Sequence, residues 1–136
     1  MESNYVFEES YSDRTVRLTV TMDAAFFMNV QFVGRGTMGG ARRFTELVDQ
    51  ARSMPGAHGK VSGIVNLTEL TGSPLRAQVV IGRWLMGCRD AFLGIAIVGG
   101  GRIERRIAKV VTSMAQMTNV GFTETLAEGE AFLKTS

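Results

Sequence analysis

The stretch from Lys60 to Gly101 constrains the fold more than any other part of the chain. Val61, Ile64, Val65 and Leu67 form a short apolar run rich in β-branched residues, and it closes on the polar Asn66-Leu67-Thr68-Glu69. Ser73-Pro74 then reads as a helix start. A serine hydroxyl there accepts from open amide groups, and a proline in the first turn lacks only an N–H that would have no helical partner. The helix this predicts reaches Cys88. Phe92-Leu93-Gly94-Ile95-Ala96-Ile97-Val98 follows, apolar without alternation, which is how a strand covered on both faces reads. It stops at Gly99-Gly100-Gly101. Strand, crossover helix and buried strand predict a right-handed βαβ unit.

The other segments arrange themselves around that unit. Tyr5 to Glu9 reads as a strand and Ser12-Asp13 as a turn. Val16, Leu18 and Val20 alternate with Arg17, Thr19 and Thr21, a half-buried strand that pairs with the first as a hairpin. Asp23 to Phe26 reads as a connection or a short helical turn, and Met28 to Gly34 as a third strand. A helix from Ala41 to Arg52 buries Phe44, Leu47, Val48 and Ala51, with Thr37 as its N-cap. Another runs from Ile103 to Met117, with Ile103, Ile107, Val110, Val111, Met114 and Met117 as its buried stripe. Val120-Gly121-Phe122 makes a very short edge strand. Thr125 and Glu128 form a capping box for a last helix from Leu126 to Leu133, in which Gly129 reads as a slightly weakening residue. This predicts one α/β domain over 1–136, a mixed β-sheet with packed α-helices.

Composition removes several function classes. One cysteine, Cys88, and one histidine, His58, leave no internal disulfide, cysteine-rich zinc site or histidine cluster. No metal and no cofactor is expected. No apolar run approaches the roughly 20 residues that span a bilayer, so integral membrane association is not expected. The acidic, polar Met1-Glu2-Ser3-Asn4 is unlike a signal peptide and predicts a cytoplasmic protein. Net charge is only +2. Basic residues nevertheless bunch at Arg42-Arg43 and at Arg102, Arg105, Arg106 and Lys109, two local patches suited to an anionic partner but too small to predict nucleic-acid binding.

The order of elements resembles the STAS-type domains of anti-sigma-factor antagonists and the broader SpoIIAA-like set. The resemblance covers about residues 14 to 134. It rests on Val30-Gln31-Phe32-Val33-Gly34-Arg35-Gly36-Thr37 as strand and helix entry, and Gly63-Ile64-Val65-Asn66-Leu67-Thr68-Glu69-Leu70 as central strand. Ile95-Ala96-Ile97-Val98-Gly99 and the terminal Thr125-Leu126-Ala127-Glu128-Gly129-Glu130-Ala131-Phe132-Leu133 complete it. The resemblance implies a bacterial, cytoplasmic, non-enzymatic regulatory or adaptor protein that docks a partner protein. It also implies a phosphorylated serine at the helix start after the central strand. Ser73 is the positional candidate and Thr71 the next. The family's Asp-Ser-Ser/Thr-Gly setting is Leu70-Thr71-Gly72-Ser73-Pro74 here, and its central aspartate is Asn66.

An open α/β sheet places ligand sites at the carboxyl ends of its parallel strands. Three loops are expected to meet there: Gly34 to Gly40, Thr68 to Ser73, and Gly99 to Arg102. Four of the seven residues from 34 to 40 are glycine. Each loop precedes a helix whose open N–H groups favour an anion. Arg35, Gly36, Thr37, Ser73, Gly100, Arg102, Arg105 and Arg106 form the candidate anion or partner site, and a small anionic ligand such as a nucleotide is the alternative occupant. Neither glycine loop carries the dinucleotide fingerprint or the Gly-Lys-Ser/Thr of a P-loop. The helix after Pro74 has an apolar surface broader than one sheet contact requires. Leu75, Val79 and Trp84 are therefore candidate homodimer residues. Trp84, Met114 and Met117 read as core, with an apolar pocket between helix and sheet as the alternative. Cys88 reads as a packing residue and His58 as a solvated loop residue. Glu69 lies near the site and Asp90 at the opposite end of the sheet, so no carboxylate pair for acid–base chemistry is predicted.

Overall fold

The structure, a computed structural model, describes residues 5–135. The polar start Met1 to Asn4 and the side chain of Ile103, assigned above to a buried stripe, lie outside what is described. The elements are β1 (Tyr5–Ser12), β2 (Val16–Asp23), β3 (Phe27–Gly34), α1 (Met38–Arg52), β4 (Val61–Leu70), α2 (Leu75–Cys88), β5 (Phe92–Val98), α3 (Arg102–Met114), β6 (Val120–Thr123) and α4 (Leu126–Thr135). The six strands lie in one sheet in the order β1-β2-β3-β4-β5-β6. β1, β2 and β3 pair antiparallel, whereas β4, β5 and β6 each add parallel to the strand before. Each parallel step is made by a crossover helix, as such steps require.

Short-range chemistry fixes the corners. Asp13 turns β1 into β2: one carboxylate oxygen accepts from the backbone N–H of Thr15 at 3.0 Å and of Val16 at 3.1 Å. Asp23 does the same between β2 and β3, accepting from Ala25 and Phe27. That turn holds Phe26 at φ 63° and resolves the ambiguous Asp23–Phe26 stretch as a tight connection. Thr37 caps α1, its hydroxyl accepting from Gly40 N–H at 3.0 Å. Thr125 caps α4 as expected, its hydroxyl accepting from Glu128 N–H at 3.2 Å; the Glu128 carboxylate accepts from that hydroxyl at 3.0 Å, in place of the backbone N–H that would complete a capping box. At α2 the expectation fails by one residue: Pro74 is the N-cap and makes no side-chain cap bond, and Ser73 stands outside the helix. Proline disfavours the helical region for its predecessor, which accounts for Ser73 standing before the helix, and Pro74 itself is extended at φ −69° and ψ 149°.

The sheet has two covered faces. Leu18, Val20, Met22, Val30, Val61, Leu67, Ile95 and Ile97 face α1, α2 and α3, which bring in Phe44, Leu47, Val48, Leu85 and Val111. On the reverse face Ile64, Ala96 and Val98 meet Phe132 and Leu133 of α4, which packs on β4, β5 and β6. The expected stripe of α3 is shifted. Ala108, Val111 and Ala115 are buried while Val110 is 45% exposed, because the helix presents its small residues to the sheet.

Candidate functional site

The carboxyl ends of β3, β4 and β5 gather the three loops. Gly36 N–H donates to Gly72 C=O at 2.8 Å, and Thr71 N–H to Gly34 C=O at 2.9 Å, so the first two loops are tied together. The third begins at Gly99, which has φ 72° and packs directly on Thr68. A side chain at that position would collide with Thr68, so a glycine is required for both reasons. The single site expected from the sequence is nevertheless divided. Gly36, Thr37 and Ser73 border one hollow; Gly100, Arg102, Arg105 and Arg106 border another. Arg35 borders neither. It is exposed beside the hairpin, its N–H and C=O bonded to Thr15 at 2.9 Å each.

The second hollow is a basic groove of about 610 Å³, lined by Gly99, Gly100, Arg102, Arg105, Arg106, Lys109 and Glu124. Four cations face one carboxylate. The Arg105 guanidinium donates to Thr123 C=O at 3.3 Å and lies 3.8 Å from the Glu124 carboxylate. Lys109 Nζ sits 5.5 Å from the centre of the Phe122 ring. Among the described residues, Arg102 and Arg106 have no ion-pair or hydrogen-bond partner for their side chains. Gly101 caps α3 without a side chain, leaving the amide end of the helix unscreened. Cationic side chains and helix terminus reinforce each other, so the groove attracts anions. Glu124 was not expected here, and Lys109, counted in the basic patch, was not assigned to the site. The spacing of Arg102, Arg105, Arg106 and Lys109, three or four residues apart, places them on one helix face and was the readable signal.

The first hollow is an apolar cavity of about 140 Å³ between the sheet and α1, α2 and α3. Its lining is almost wholly hydrocarbon, with Gly36, Thr37, Ser73 and Gln78 together where α1 and α2 begin. Trp84 lines it. Met114 and Met117, expected beside Trp84, do not; Met114 packs against Gly82 in the contact between α2 and α3. Trp84 is also less available as a dimer residue than its neighbours on α2. Its indole N–H donates to both Asp49 oxygens, at 3.0 and 3.1 Å, and its ring meets Phe44 and Phe92 edge-on. Leu75 is 70% exposed, and Val79 is half-buried.

The remaining reactive groups are engaged elsewhere. Burial pushes the Cys88 thiol up to about 11, with Asp49 adding to the shift and Arg52 opposing it. Such a thiol is protonated at neutral pH and is a poor nucleophile; it donates to Trp84 C=O at 3.3 Å. His58 is exposed in the loop before β4. Glu69 accepts from Gln31 at 3.0 Å, and Asp90 lies in the turn entering β5, at the other end of the sheet. Among the described residues no three His, Cys, Asp or Glu side chains group as metal ligands, and no helix is long and apolar enough to cross a membrane.

This arrangement of sheet, crossover helices and terminal helix is the SpoIIAA-like, STAS-type fold. A solved structure that shares it is that of an uncharacterized protein from the DUF3478 family, with a SpoIIAA-like fold, from Shewanella loihica PV-4. The two superpose with a TM-score of 0.65 at 19% identity, over 92% of this chain and 98% of that one. No protein-family model matches the chain, and no curated protein matches it.

Proposed function

We propose that the protein is a non-catalytic regulatory or adaptor domain that docks an anionic group of a partner protein in the groove at the start of α3. The supporting observation is the charge imbalance there: Arg102, Arg105, Arg106 and Lys109 against Glu124. Arg105 is held in place by Thr123 and Glu124, while Arg102 and Arg106 supply planar donor forks suited to a phosphate or carboxylate. A nucleotide would also find its phosphates accommodated. Its base would find no aromatic side chain in the lining, which favours an anionic side chain of a protein. Thr71 is exposed and Ser73 half-buried, so Thr71 is the more accessible of the two candidate phosphorylation sites. A phosphate on either would stand just before α2, where the helix end favours negative charge. Leu75 and Val79 offer an outer α2 surface for a homodimer.

The test is a pull-down from the source cell's lysate with wild type and the Arg102→Glu/Arg106→Glu variant, with mass spectrometry on prey and bait. An acidic or phosphorylated partner retained by wild type and lost from the folded variant supports the reading. A partner retained equally by both overturns it. Phosphate on Thr71 or Ser73 of the bait would add the regulatory element.

A further inference from the structure

We infer that the cavity beneath α1, α2 and α3 is a binding site for a small, uncharged, ring-sized hydrophobic molecule bearing one hydroxyl or carbonyl group. This site is distinct from the basic groove and does not depend on its function. Size comes first. At about 140 Å³ the cavity matches an engineered apolar cavity of about 150 Å³ that stays dry and takes up benzene. A long acyl chain or a nucleotide is too large. Charge comes second: the lining contains no Asp, Glu, Lys or Arg. An ionised ligand would surrender its hydration without a partner, which is strongly unfavourable. The polar end comes third. Ser73 borders the cavity, and among the described residues its hydroxyl has no hydrogen-bond partner. Its own carbonyl is already taken by the Gln78 side-chain amide at 3.1 Å. Of the other polar side chains in the lining, Thr37 is bonded to Asp13 and Gly40, Gln78 to Ser73 C=O, and Thr112 to Ala108 and Lys109 C=O, so the Ser73 hydroxyl is the group left for one hydrogen bond from the ligand.

The probes are benzene, phenol and benzoate, titrated into the full chain and followed by methyl NMR. Saturable shifts at Val30, Ile97 and Val111 are expected with benzene and phenol. Phenol should bind about fivefold tighter, the worth of one hydrogen bond, and benzoate more weakly than either. Ser73→Ala should erase the advantage of phenol and leave benzene unchanged. Ala77→Leu, which adds bulk at a buried lining position, should abolish both. No saturable shift at these methyls in wild type overturns the inference, as does benzoate binding as tightly as phenol. A folded Ala77→Leu protein that still binds overturns it too. Should that variant not fold, wild type and Ser73→Ala decide the matter alone.

Discussion

The two faces of the sheet are packed to different standards. On the reverse face α4 lies so close that Gly129 leaves no room for a Cβ: one built there would be 2.9 Å from Val98 Cγ2 and 3.3 Å from Ala96 Cβ. The Phe132 ring covers Gly121 in the same way, 2.7 Å from where a Cβ would be. On the other face three helices span a broader area with larger side chains and leave about 140 Å³ unfilled. By the mutational scale for cavities such a void corresponds to about 3 kcal/mol of stability not realised. Gly129 opposite Val98 and Ala96, and Gly121 beneath the Phe132 ring, let one helix settle fully. Bulky residues such as Phe44 and Trp84 keep the three-helix layer at a distance that its small residues do not fill. A tight face serves cohesion, and a loose one leaves space for a guest.

The largest effect should come from Gly129→Val. It forces two methyl groups against Val98 and Ala96, and should cost about 3 kcal/mol by urea denaturation, at the upper end for an overpacked core. A loss below 1 kcal/mol would show that α4 is not closely seated. A matched pair then sharpens the contrast. Val98→Ile adds a methylene on the tight face and should destabilise by about 1–2 kcal/mol. Val111→Ile adds the same methylene at the cavity and should stabilise by about 0.8 kcal/mol. Equal signs for the two would dissolve the distinction between the faces.

The smallest effect lies at the surface. The hydroxyl of Thr37 and the backbone N–H of Thr15 are the main reasons the Asp13 carboxyl is held at about 2. Its folded value is thus below the unfolded one. The contribution is complete above about pH 4 and is lost as pH falls through about 2. Unfolding followed across that window should show a steeper acid loss in wild type than in Asp13→Asn; identical profiles would remove Asp13 as a tie between the hairpin and α1.

Much of this was legible from residue pattern. The alternation in Val16–Val20, the unbroken apolar run Phe92–Val98 and the Thr125/Glu128 pair each marked the element that formed. Pattern assigns a residue to a face, but it carries no information on how far apart two faces settle. Gly129 therefore read as a helix weakness when it is where α4 closes on Val98 and Ala96, and no run of residues announced the cavity. The site was legible as a set of loops but not as two hollows. Whether the loop at Gly99 opens toward Ser73 or toward α3 depends on its φ of 72° and its contact with Thr68. The serine before Pro74 looked like a cap, but the cap position is the proline itself.

The strand order has a consequence for how the molecule is made. Every strand pairs with the one just before it in the chain, so no sheet contact waits for a distant partner. The growing polypeptide can extend the sheet in the order in which it leaves the ribosome, each new strand covering the edge left by the last. α4 is the exception: it rests on β4, β5 and β6 together, and its seat is finished only when the sheet is. Seating that closely packed helix would then be the final step of folding. A nascent chain stalled before residue 125 would expose Ile64, Ala96 and Val98, giving quality control an apolar strip to recognise.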